Sequence, residues 1–162
     1  MVFGESDLLK TILLLPGVSN AGEGASGFNV RGGAADQNLI LFDEAIIYNS
    51  SHLFGLFSVF NSDAIKEVKL FKGGIPASYG GRVSSVLDVY QKDGNKNELK
   101  FNGGIGAISS RFLVEGPIQT EKSSFLIASR GTYAHLFLKL TDIDNSAYFF
   151  DINTKSNFII DK

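Results

Sequence analysis

The side chains able to do chemistry are few in this sequence, and their spacing argues against most of the chemistry they could do. There are 2 histidines, His52 and His135, and no cysteine. A metal site needs several converging His, Asp, Glu or Cys side chains, so no metal is expected and His52 reads as structural or exposed. Ser, His and Asp all occur, but no GxSxG elbow or other spacing marks out a nucleophile with its base, and the chain is not read as an enzyme. Gly22, Gly24 and Gly27 satisfy GxGxxG, which cradles phosphate only between a strand and a helix. A strand-like stretch follows them instead, so SNAGEGASG (19–27) is read as a loop without a cofactor. Lys66, Lys69 and Lys72 are interrupted by Glu67 and carry no aromatic interleaving. With a formal net charge of −2 there is no basic face for a phosphate backbone, and nucleic acid is excluded as an expected partner.

The bulk properties are those of a folding chain. Its 162 residues are 44% hydrophobic, enough to bury a core. No apolar run approaches the roughly 20 residues of a transmembrane helix. Absence of cysteine removes disulfides without fixing a compartment. Met1 is followed by no basic and apolar leader, so an exported protein is expected to have lost its beginning.

The elements that would position these residues follow from periodicity and turn chemistry. Residues 5–15 read as a helix capped by Ser6, with Leu8, Ile12 and Leu15 on one face and Pro16-Gly17 ending it. Residues 38–42 and 45–48 are two apolar runs split by Asp43-Glu44, a hairpin signal. The stretch NSSHLFGLFSVF (49–60) would be an apolar patch on a free surface, and part of it could form a short helix. Phe57 and Phe60 are expected to be buried. Asn61 caps a short turn before a strand around 68–70; Pro76 suits a first helical position in PASYGGR (76–82); and 83–90 reads as a strand. The polar run QKDGNKNE (91–98) marks a boundary. Beyond it, alternation runs from Leu99 toward Val114, a turn region covers 115–124, and strands return at 123–133 and around 148–161. Residues 133–140 fit either a strand or a helix. Long alternating strands suit a transmembrane barrel wall, and equally an ordinary antiparallel sheet with one buried face; periodicity leaves both open.

Several motifs lie in one order and spacing: LLPGV (14–18), FNVRGG (28–33), NLILFDEAII (38–47), DAIKEVKLFKGG (63–74) and SYGGRVSSVLDV (78–89). In these the chain resembles the plug domain of TonB-dependent outer-membrane receptors. The resemblance implies an α+β fold: a small mixed-sheet plug domain with short helices over 1–95, then antiparallel β-strands over 96–162 that begin an incomplete transmembrane β-barrel. The smallest such barrels have about 8 strands, so the chain is expected to be a fragment. The family usually has glycine where Glu44 stands, and Glu44 predicts a longer or differently twisted connection. By resemblance the loop with Gly22 and Gly24 and the loop with Tyr48, His52 and Phe54 are apical and face substrate, with core packing as the competing role for the aromatic residues. Arg31, and with it Arg82, would contact acidic side chains of the barrel wall. The implied function is transport at the Gram-negative cell outer membrane. The plug occludes the barrel lumen, binds a small nutrient of unknown class, and is displaced by the TonB protein and its inner-membrane energising complex. The energy-coupling segment called the TonB box is expected to lie outside this chain. The alternative is a soluble secreted binding module using the aromatic loop as an adhesive patch.

Overall fold

A computed structural model describes residues 7–22, 26–52, 55, 57–133 and 148–160. They fall into two compact units, Ser6–Gln91 and Lys92–Lys162.

The first unit opens with α1 (Leu8–Ile12), shorter than the expected 5–15 and capped by Asp7 rather than Ser6. One Asp7 carboxylate oxygen accepts from Lys10 N at 3.0 Å and the other from Ser58 N at 2.7 Å, so the cap also ties the helix to a distant strand. Leu9 and Ile12 are buried, whereas Leu15 is exposed, because Leu14 and Leu15 bond the carbonyls of Thr11 and Ile12 and tighten the helix out of register. β1 (Val18–Asn20) pairs antiparallel with β2 (Phe28–Val30), so the glycine loop begins after Asn20 and not at Ser19. A 3-10 turn at Ala35–Gln37 leads into β3 (Asn38–Phe42), which pairs with β4 (Ala45–Ile46).

The connection between these two is a two-residue turn with φ of 46° at Asp43 and 69° at Glu44, the positive-φ pair of a type I′ hairpin, and not the longer connection that Glu44 predicted. Left-handed backbone costs a non-glycine residue roughly 1–2 kcal/mol. Two bonds hold it here: Asp43 N donates to Val89 O, and Gln91 N donates to Asp43 Oδ1, both at 2.9 Å.

β5 (Ser51–His52) and β6 (Phe57–Ser58) form a short antiparallel pair where a helix was allowed. A 3-10 turn at Ser62–Ala64, capped by Asn61, precedes β7 (Ile65–Phe71). Residues 76–82 hold no helix; they make a turn closed by Tyr79 N donating to Pro76 O at 3.0 Å, since Gly80 and Gly81 interrupt any helical run. β8 (Ser85–Gln91) follows.

The main sheet has the order β4-β3-β8-β7, with β3 and β8 parallel and the other pairs antiparallel, the mixed sheet that was expected. Alternation sends Ile40, Leu87 and Val89 to one face, where they pack with Leu9, Ile12, Phe28, Val30 and Phe60. Phe60 meets Phe42 edge to face at 5.4 Å. On the other face Leu39, Leu41 and Val86 lie under Phe71, Ile75 and Tyr79. Asn38 clamps the sheet from within, donating to Phe28 O and accepting from Ser85 Oγ, both at 2.6 Å.

The second unit is an open antiparallel sheet, β12-β11-β10-β9. The alternation read as one strand toward Val114 is two, β9 (Lys100–Ile105) and β10 (Ser109–Gln119), turning where Gly106 N donates to Ser109 O. The turn expected over 115–124 narrows to 120–122, where Glu121 takes φ 66° and β11 (Ser123–Thr132) starts. Pro117 continues β10 because it sits at a register shift, where a missing N–H is tolerated. β12 (Phe150–Phe158) completes the sheet; residues 134–140, apart from their neighbour Tyr133, lie outside the described residues.

Phe101, Ile105, Phe112, Ile127, Phe150, Ile152 and Phe158 are all exposed on one face. The opposite face carries charge. Arg130 there is 1% exposed, bonds Asp151 Oδ2 through Nη2 at 2.7 Å, and lies over the Phe149 ring. Lys155 pairs with Asp93 at 3.1 Å on the same side.

Candidate functional site

The glycine loop and the aromatic loop meet in the first unit. Ser51 Oγ donates to Ser26 Oγ at 2.8 Å and joins the two loops, while Val59 N donates to Ser50 O within the aromatic loop. Beside this junction opens a cavity of about 390 Å³ whose lining includes Ser26, Asp36, Tyr48, Ser50 and Arg82. Tyr48 is 85% exposed and offers its ring to whatever enters. An aromatic face, two hydroxyls, a carboxylate and a guanidinium can hold a small polar ligand; they contain no nucleophile paired with a base.

Of the expected substrate contacts, Tyr48 lies on this cavity. Gly22 is exposed with φ 135° and His52 is half-buried opposite Phe57 in the β5–β6 pair; neither lines it. Gly24 and Phe54 lie outside the described residues. Phe57 and Phe60 are buried at 2% and 0%, as their packing role required.

The two arginines occupy different surroundings. Arg31 is exposed with φ 49°, its guanidinium against Gly73: a Cβ added there would come within 2.9 Å of Nη1. Its backbone N–H donates to Gly17 O at 2.9 Å. Arg82 belongs to the loop cavity and donates to Gly81 O at 3.1 Å.

A second group was missed in the sequence. Asp88, Tyr79, Tyr90 and Glu44 line another cavity of about 390 Å³ on the Leu39–Leu41 face of the sheet. Tyr79 Oη donates to Asp88 Oδ2 at 2.7 Å. Hydrogen bonding toward Asp88, then burial and the carboxylate charge, push the Tyr90 phenol up to about 12 and raise Tyr79 as well. The available signal was the period of two in SVLDVYQ, which puts an acid between the apolar Val86 and Tyr90.

A family model described as the TonB-dependent Receptor Plug Domain matches residues 3–86, and the chain belongs to that family. Among solved structures it is similar to the siderophore receptor PirA from Acinetobacter baumannii, with 22% identity and a TM-score of 0.57. It is also similar to an R480A mutant of the ferric enterobactin receptor PfeA from Pseudomonas aeruginosa, with 22% identity and a TM-score of 0.55. Both alignments cover 78% of this chain and 22% of the solved one, so the chain spans under a quarter of those receptors' length. At that identity the likeness establishes the fold: a plug followed by the first strands of an unclosed barrel. No curated protein sequence matches.

Proposed function

We propose that this chain is the plug and opening barrel strands of an outer-membrane receptor that imports a small nutrient under force from the TonB protein and its inner-membrane energising complex. The carrying observation is the polarity of the β9–β12 sheet, which follows directly on a plug-family unit. Phe101, Ile105, Phe112, Ile127, Phe150, Ile152 and Phe158 are exposed on one face, while Arg130, Asp151 and Lys155 share the opposite face with Leu113 and Leu126. A sheet in water buries the first set; a wall between lipid and a wet lumen turns it outward to lipid and keeps the charged set on the lumen side. β10, β11 and β12 have 11, 10 and 9 residues, the length of a tilted membrane-crossing strand.

The loop cavity beside Tyr48 is the substrate-facing surface in this reading, and Arg31 and Arg82 are the candidates for contact with the barrel wall. The two solved neighbours are named for a siderophore and for ferric enterobactin, which makes ferric chelates the first class of nutrient to test. A strain lacking the full gene, grown on single chelates and other single nutrient sources with and without the TonB protein, tests the assignment. Loss of growth on one source, restored by the gene only when the TonB protein is present, is the expected result. Recovery of the full-length protein in the soluble secreted fraction would replace the receptor by the adhesive module.

A further inference from the structure

We propose that Asp88 anchors a second binding site in the first unit, one that receives a guanidinium group. Asp88 is 1% exposed, and while Oδ2 accepts from Tyr79, Oδ1 has no hydrogen-bond partner. Tyr90 interacts with the same carboxylate, and Oδ1 remains without a partner. Buried carboxylate oxygens are almost always satisfied, and one left without a donor carries its full desolvation penalty. Asp88 is among the residues lining a cavity of about 390 Å³, large enough for a small ligand or a long side chain.

The cation across the strand pair has other partners. Lys69 lies directly across the β7–β8 pair from Asp88, but its Nζ pairs with Glu67 at 3.2 Å and sits over the Tyr90 ring at 5.3 Å. A metal ion is a poor fit, since no group of three or more His, Cys, Asp or Glu side chains forms a site among the described residues. The walls favour a flat, delocalised cation. Leu39 and Leu41 contribute apolar lining, Tyr79 and Tyr90 contribute aromatic rings, and Glu44 adds negative charge. A guanidinium can donate to Oδ1 in the plane and stack on a phenol above it, whereas an ammonium is compact and strongly hydrated. Because Asp88 is enclosed, neighbouring side chains must move for the ligand, and the two tyrosines that line the cavity with it serve as reporters of binding. The site stands apart from the transport reading and needs only this unit. A free molecule and an arginine of a longer protein present the same chemistry.

The test is titration of the 162-residue chain with methylguanidinium at concentrations well below denaturing ones, following the Tyr79 and Tyr90 ring resonances, with methylammonium as control. A saturable shift with methylguanidinium, weaker with methylammonium and reduced about tenfold or more in Asp88→Asn, is expected. Tyr79→Phe frees Oδ2 for a two-pronged contact and should bind at least as tightly. No saturable shift in a chain that melts cooperatively, or equal binding by Asp88→Asn, overturns the proposal. If Asp88→Asn does not fold, loss of the response in folded Tyr79→Phe overturns it and retention supports it. Repeating the titration on the longer receptor separates the sources. A response seen only in this chain assigns the site to an arginine of the receptor, and one kept in both assigns it to a free ligand.

Discussion

The two four-stranded sheets obey the same alternation and put it to opposite use. In the β4-β3-β8-β7 sheet both faces hide apolar side chains, Leu87 and Val89 on one side and Leu39, Leu41 and Val86 on the other. In the β12-β11-β10-β9 sheet Phe101, Phe112, Phe150 and Phe158 stand exposed on one face, and the other face buries Arg130 beside Leu113, Leu126 and Ala128. Burial of a large apolar side chain stabilises by about 1.5–3 kcal/mol, so the first sheet carries its own driving force in water. The second leaves much of that term unrealised until something apolar covers its face. A period of two says which residues share a face and nothing about which face is wet.

The largest expected break in this comparison comes from equal truncations in the two units. Phe60→Ala removes a ring that is 0% exposed and should cost about 3–5 kcal/mol in denaturant melts of the chain. Phe112→Ala removes one that is 47% exposed and should change the melt little. Equal losses would make the second sheet an ordinary water-soluble layer with a core of its own.

A charge placed on each face of β12 sharpens the point. In the full receptor Ile152→Lys, on the exposed apolar face, should disfavour assembly in the membrane by up to about 2–4 kcal/mol, with Asn153→Lys on the other face close to neutral. The fraction of receptor folded in outer-membrane preparations measures both. Comparable defects would remove the assignment of lipid to the Ile152 side.

A smaller effect lies in the turn that closes the first sheet. Glu44 holds φ 69°, so Glu44→Gly should stabilise this unit by about 1 kcal/mol, and Ala at the same position should not. Identical melts for the glycine and alanine variants would mean that the left-handed backbone at Glu44 costs this unit nothing.

The least of the effects concerns pH. The Tyr90 phenol is pushed up to about 12 in the folded chain, against about 10 for an unfolded tyrosine. Below pH 10 both states hold the proton and the interaction with Asp88 is fully present; as pH climbs from about 10 toward 12 the unfolded chain releases it first, and stability falls. Ultraviolet titration of tyrosinate should show a late-titrating phenol that moves down in Asp88→Asn. A wild-type titration with every tyrosine near 10 would leave Tyr90 without its carboxylate.

What the sequence determined by itself was whatever depends on neighbours along the chain. The strand runs of β3, β7, β8 and β12, the Asn61 cap, the polar break after Tyr90 and the burial of Phe57 and Phe60 all follow from local pattern, as did the plug motifs. Contacts between distant residues decided the rest. α1 is capped by Asp7 because Ser58 supplies the second donor, 51 positions away. Asp43 and Glu44 make a tight turn against their own backbone preference because Val89 and Gln91 hold Asp43 in place. Tyr48 and Arg82, assigned to different tasks on sequence grounds, line one cavity because β3 and β8 lie side by side in parallel, a pairing that no local pattern specifies. Asp88 reads as one more polar residue in a strand; only the fold closes a sheet and a tyrosine over it, and burial is what turns a carboxylate into a site.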